Sequence, residues 1–177
     1  MKLRCCIDNV KNIILIGMPG AGKSTVGPKL ADKLSFSFLD TDTIIREKTG
    51  RELRNIVEED GFEAFLNIQR KIIMQQHFDR NVIATGGSVV LDEELMQFFI
   101  ENGCVVYLEL DIETLEERLA PGRRLARANG QTFRDMFEQR KPLYEKYADI
   151  KQICSGKLPE DIAVEIYEFV LCTGGNC

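Results

Sequence analysis

The chain has 177 residues, 44% of them hydrophobic, and a formal net charge of −5. That length suits one domain with a buried core. The acidic balance gives no reason to expect a nucleic-acid partner, and the apolar runs are strand-sized, too short to span a membrane. Met1 to Lys11 carries positive charge but lacks the apolar stretch and small residues of a secretory signal, so the cytoplasm is the expected compartment. The cysteines Cys5, Cys6, Cys104, Cys154, Cys172 and Cys177 form no C-x-x-C pair, and His77 stands alone, which argues against a zinc site. Cys104 opens an apolar run and reads as a small core residue. The tail 172–177 reads as frayed.

In chain order, Ile13-Ile14-Leu15-Ile16 is an apolar run of the kind found in a buried parallel strand. It leads into Gly17-Met18-Pro19-Gly20-Ala21-Gly22-Lys23-Ser24-Thr25, which matches G-x-x-x-x-G-K-[ST]. Val26, Leu30, Ala31 and Leu34 then recur at helical spacing. Pro28 falls inside that helix, where its missing N–H predicts a bend or a loosened turn. Strand, glycine loop and helix are the context the motif needs. Glycines let backbone N–H groups surround a phosphate, the helix N-terminus adds unpaired donors, Lys23 reaches the outer phosphates and Ser24 offers a hydroxyl to Mg²⁺. Gly20 to Thr25 are therefore the expected ATP contacts.

A second strand is predicted over 36–39, ending at Asp40-Thr41-Asp42, and a helix over 43–48 stopped by Gly50. On an extended segment Asp40 and Asp42 would face one side. One could then hold Mg²⁺ through water while the other accepts a hydroxyl proton. They could equally form a polar turn in which Asp42 caps the next helix. Helical spacing covers 52–78 with a break near Gly61, followed by a strand over 82–84 and Thr85-Gly86-Gly87-Ser88. Gly86 and Gly87 either make a simple turn or bring N–H groups to a phosphate or substrate hydroxyl. A helix over 92–102 stops at Gly103, a strand follows over 105–108 and a helix over 112–119.

The stretch 121–130 is basic and turn-rich, and Arg118, Arg123, Arg124, Arg127, Arg134 and Arg140 fall close together in an acidic protein. That density suits a lid closing on anionic ligands. Some of these arginines must serve instead as solvated helical charges, Arg134 above all, because Glu138 stands at i+4. A long helix is predicted over 132–147, a fifth strand over 150–153 and a last helix over 161–171. Ser155-Gly156-Lys157 is a plausible adenine loop. Strands alternating with helices predict one doubly wound α/β domain with a parallel sheet, whose ligands gather at the carboxyl ends of the strands. A monomer is expected, since no large exposed apolar stripe is apparent.

Taken together these motifs resemble the shikimate kinase family, of the nucleoside-monophosphate-kinase-like fold. The likeness covers the glycine loop, Leu39-Asp40-Thr41-Asp42, Thr85-Gly86-Gly87, Val106-Tyr107-Leu108, Arg123-Arg124-Leu125 and Arg140-Lys141-Pro142-Leu143-Tyr144. It implies a three-layer P-loop kinase fold with a five-stranded parallel sheet, helices on both faces and an arginine-rich lid over about 119–131. It implies transfer of the ATP γ-phosphate to the 3-hydroxyl of shikimate, in the biosynthesis of chorismate and aromatic amino acids. By the same resemblance Lys23 and Arg123 contact phosphate, Ser24 and Asp40 serve Mg²⁺, and Asp42 binds and deprotonates the hydroxyl. Gly86 and Gly87 present backbone to the substrate, and Arg140 pairs with its carboxylate. The chain departs from the family where Phe-Arg-x-x-Glu is usual: here Phe65-Leu66-Asn67-Ile68-Gln69 lacks both the arginine and the glutamate. Ser88 replaces a usual third glycine. Leu66 leaves open a kinase in which Arg70 or a lid arginine compensates, or a kinase of another polyol or sugar acid such as gluconate. A nucleotide-binding module without turnover is the remaining reading.

Overall fold

The computed structural model describes residues 11–118 and 130–172. Five parallel strands run in the order β2-β3-β1-β4-β5. They are β1 (Asn12–Ile16), β2 (Ser37–Asp40), β3 (Asn81–Ala84), β4 (Cys104–Glu109) and β5 (Ile150–Ile153). β1 is central, with Ile14 in register with Ile83 on one side and Val105 on the other. All five of its residues are buried, as expected of a parallel strand covered on both faces. Edge strand β5 alternates buried and exposed residues instead.

Eight helices connect and cover the strands among the described residues: α1 (Lys23–Leu34), α2 (Thr41–Thr49), α3 (Leu53–Asp60), α4 (Phe62–Met74), α5 (Glu93–Asn102), α6 (Ile112–Arg118), α7 (Phe133–Tyr147) and α8 (Pro159–Cys172). α1 and α8 pack together, and Ile13 of β1 shares a cleft with Tyr167 and Val170 of α8. The next residue, Ile14, meets Gly103 at the end of α5. Successive strand residues point to opposite faces, so helices cover both sides of the sheet. The predicted elements all form, with shifted ends: β1, α1, α2, β3, β4 and α8 run longer, β2 moves by one residue, α5 and α7 start one residue later, and the helical stretch over 52–78 stops at Met74. α1 runs through Pro28 from Lys23 to Leu34. Cys104 is buried as expected, but it is disulfide-bonded rather than a free thiol. The expected lid over 119–131, with Arg123, Arg124 and Arg127, lies outside the described residues apart from 130–131, as does the tail beyond Cys172.

The strand order turns back at β1, whose neighbours β3 and β4 follow it through crossovers on either side. Such a switch point opens a crevice at the strands' carboxyl ends. The carboxyl ends of β1, β2 and β3 and the segments after them carry Gly20 to Thr25, Asp40, Asp42, Gly86 and Gly87, whereas Arg140 comes from α7.

Candidate active site

The loop after β1 closes with backbone bonds from Ala21 to Met18 and from Thr25 and Val26 to Gly22. Gly20 and Gly22 have φ of 90° and 97°, a region open to glycine and costly for other residues. α1 starts directly at Lys23 with no side-chain cap and no acidic residue in its first turn, so its N-terminal donors and partial charge face the loop. Lys23 is 8% exposed, and its Nζ donates to the carbonyls of Gly17 (2.7 Å) and Met18 (2.9 Å). Its ammonium is thereby held over the loop. Ala21 is buried, and Thr25 is exposed at the helix start.

Asp40 ends β2 and caps α2: its Oδ1 accepts from the N–H groups of Asp42 (2.9 Å) and Thr43 (3.3 Å). Its Oδ2 accepts from the Ser24 hydroxyl at 2.8 Å. The two aspartates do not lie on an extended segment, because the helix begins at Thr41; nor does Asp42 cap it. Both still reach the crevice, since Asp42 stands in the first turn just past the cap. Ser24 and Asp40 together offer hard oxygen donors beside the loop. That set fits Mg²⁺, which keeps most of its water and takes few protein ligands besides phosphate.

The segment after β3 is fixed from four elements. The Thr85 hydroxyl donates to the Leu15 carbonyl of β1 (2.8 Å), and Gly86 N–H donates to Thr41 Oγ1 of α2 (3.0 Å). The Tyr144 hydroxyl of α7 donates to the Gly87 carbonyl (2.6 Å), and the Ser88 hydroxyl donates to Gln69 Oε1 of α4 (3.1 Å). Asp42 Oδ1 lies 2.6 Å from where a Cβ on Gly86 would sit, and Pro19 of the phosphate loop is 2.7 Å from the equivalent point on Gly87. Both positions therefore exclude larger residues, and they hold Asp42 and the phosphate loop against one turn. Gly86 spends its N–H on Thr41, so its part in the site is to admit Asp42.

Arg140 is 1% exposed in α7, one helical turn before Tyr144. Burial pulls its pKa down, partly offset by Tyr144. Arg134 pairs with Glu116 of α6 (3.3 Å) rather than with Glu138. Sequence reasoning did not place Thr41, Gln69 and Tyr144 on the glycine turn, to which each is bonded. Arg118, read in the sequence as one of the clustered arginines, places its Cβ 3.9 Å from the Cβ position of Gly20. Gln69 stood out only as a departure from the family motif, and Tyr144 only by its i+4 spacing from Arg140.

A sequence model described as shikimate kinase matches residues 19–171. The chain belongs to the shikimate kinase family. The shikimate kinase of Persephonella marina is 38% identical over 160 residues, 89% of this chain and 97% of that protein. The one from Francisella tularensis subsp. novicida is 35% identical over 167 residues, covering 91% and 95%. Among solved structures, a shikimate kinase from Acinetobacter baumannii in complex with shikimate superposes with a TM-score of 0.82 at 30% identity, covering 94% of this chain and 96% of that one.

Measured against this family, two of the three departures touch. Ser88 and Gln69 are hydrogen-bonded to each other and both are buried. A neutral amide there places no second negative charge beside Asp42, which a glutamate without its arginine would do. The third, Leu66, is 9% exposed and lines a cleft of about 710 Å³ between α4 and α5. Arg70 lines the same cleft, where it pairs with Glu94 (3.1 Å) and Asp92 (3.5 Å) and donates to Asn67 (2.8 Å). Those carboxylates already compensate its charge.

Proposed function

We propose that this chain transfers the γ-phosphate of ATP to the 3-hydroxyl of shikimate. In this reading Asp42 takes the hydroxyl proton while the oxygen forms a bond to the γ-phosphorus. The bond from that phosphorus to the bridging oxygen breaks, and ADP carries away the electron pair. Lys23 and the first-turn N–H groups of α1 bind the phosphates, with Gly20, Ala21, Gly22 and Thr25 shaping the cradle. Ser24, and Asp40 through water, would hold Mg²⁺, which would supply charge neutralisation at the phosphate oxygens. Arg140 holds the acceptor's carboxylate, Gly86 and Gly87 border its hydroxyl, and Arg123 reaches the phosphates. The observation that carries the reading is Asp42 set against Gly86, in the same crevice as the Ser24–Asp40 pair and the phosphate loop. A base and a donor site within one crevice suit phosphoryl transfer, which needs positioning more than covalent chemistry.

One observation favours a second reading, a related kinase with another acceptor: Leu66 is apolar and Arg70 is engaged by Asp92 and Glu94. ADP release in a coupled assay with shikimate, gluconate and homoserine separates the two. The first reading expects shikimate to give the highest kcat/KM; a higher value with another acceptor selects the second. We further propose a monomer acting in the cytoplasm. A Cys104 disulfide that persists in protein alkylated directly from a reducing lysate would contradict the compartment, and a dimer mass by light scattering would contradict the monomer.

A further inference from the structure

We propose that Asp111 is a positioning residue for the nucleotide: through Ser155 it holds the loop 154–157 at a fixed distance from the phosphate loop, so that the two receive the base and the phosphates of one ATP. The inference rests on the nucleotide half of the reading above, ATP binding, and not on the choice of acceptor.

Asp111 divides its two oxygens between elements. Oδ1 accepts from Thr114 N–H (2.7 Å) at the start of α6, while Oδ2 accepts from the Ser155 hydroxyl (2.7 Å), 44 residues away. Capping a helix takes one oxygen; the second leaves α6 for the loop after β5. That loop is anchored at both ends by other bonds. Cys154 N–H donates to the Glu109 carbonyl of β4 (2.9 Å), Lys157 N–H closes a turn on the Cys154 carbonyl (3.3 Å), and the Lys157 ammonium pairs with Glu165 of α8 (2.5 Å). Its tip is Ser155-Gly156, where Gly156 is left-handed (φ 73°) with open space around its Cβ position. The bond from Asp111 restrains a tip that glycine leaves loose.

The other end of α6 meets the phosphate loop. Leu115 Cδ2 and Arg118 Cβ lie 3.8 Å and 3.9 Å from the Cβ position of Gly20. With seven residues, α6 spans about 10 Å, comparable with the reach from a nucleotide's outer phosphates to its base. The two loops follow the carboxyl ends of β1 and β5, on either side of β4, where ligands of such sheets collect. One short helix thus sets the separation of Gly20 and Ser155, and Asp111 is its link to the second loop.

Ser155→Ala removes the bond and leaves Asp111 capping α6. Asp111→Ser keeps a capping oxygen and gives up the reach to Ser155. Titration calorimetry with ADP and Mg²⁺ on the full chain gives Kd for each variant and for the double variant, and steady-state kinetics gives the acceptor KM. Each single variant should weaken ADP binding about three- to tenfold, the loss of one hydrogen bond, with the acceptor KM within about twofold of wild type. The double variant should bind ADP within about twofold of the weaker single variant, because the two residues act as one unit. An ADP Kd within about twofold of wild type in Ser155→Ala, additive effects in the cycle, or equal rises in ADP Kd and acceptor KM would each leave Asp111 a plain helix cap and overturn the inference. If Asp111→Ser does not fold, the ADP Kd and acceptor KM of Ser155→Ala decide alone. A wild type that binds ADP but does not phosphorylate shikimate overturns the acceptor reading and leaves this inference to the ADP Kd values. A wild type that binds no ADP overturns both.

Discussion

Asp42 touches the glycine turn through Oδ1, while its neighbour Asp40 is fully committed, capping α2 with one oxygen and holding Ser24 with the other. The proposed base and the proposed metal-side carboxylate thus make different contacts. Asp42→Asn keeps the shape and removes the proton acceptor; kcat should fall about 10²- to 10⁴-fold with the KM for ATP little changed, measured by the same coupled assay. A kcat within tenfold of wild type would remove Asp42 from the base role. Gln69→Glu would put a carboxylate beside Asp42 with Leu66, not an arginine, one turn away, so we expect a loss of activity at neutral pH that shrinks as the pH falls and the new carboxyl is protonated. Rate-versus-pH profiles of the two proteins check this, and parallel profiles would contradict it. Arg70 is held by Asp92 and Glu94, so Arg70→Ala should leave the shikimate KM within about twofold. Leu66→Arg should bring no large gain in shikimate turnover, since the new cation faces the same carboxylates; a large gain would indicate that shikimate is not the natural acceptor.

Among the elements, α6 and the loop after β5 are joined by one carboxylate. Asp111 accepts from Thr114 N–H (2.7 Å) at the start of α6 and from the Ser155 hydroxyl (2.7 Å). The Thr114 bonds, then Ser155, hold its carboxyl well below the usual range. A depressed folded-state pKa means that this contribution to stability is complete above the unfolded value of about 4 and is lost as pH falls toward the folded one. Asp111→Asn should therefore lower Tm at neutral pH, with the gap to wild type narrowing below about pH 4; a gap independent of pH would exclude the carboxylate as its cause. Most elements were legible in the sequence because each signal is local. The apolar runs gave the strands, Gly50, Gly61 and Gly103 marked the helix ends, and the glycine motif placed α1. The Asp40 cap was misread because a carboxylate at a strand end and one at a helix start look alike in a string of letters. The bonds from Thr41, Gln69 and Tyr144 to the glycine turn span 45, 19 and 57 residues, and nothing in local spacing announces such pairings.

At the scale of the molecule, the sheet is pinned at the end opposite the site by Asn12. Its side chain donates to the carbonyls of Phe78 (3.2 Å) and Asn102 (2.8 Å) and accepts from Asn81 N–H (3.0 Å). Asn12 is completely buried, so Asn12→Ala should destabilise by about 3 kcal/mol by leaving several main-chain groups unsatisfied, as read from urea unfolding. A loss under about 1 kcal/mol would show that water replaces the amide. With that end fixed, the strands' other ends hold the phosphate loop, the Asp40–Asp42 start of α2 and the glycine turn in one crevice. The central claim is that this crevice joins ATP to shikimate, and the most direct measurement is the product of a single incubation with γ-labelled ATP, shikimate and Mg²⁺. Label is expected in a shikimate phosphomonoester at the 3-position, formed by the wild type and at least about a hundredfold more slowly by Asp42→Asn. Label appearing only as inorganic phosphate, or on another acceptor in preference to shikimate, would contradict it.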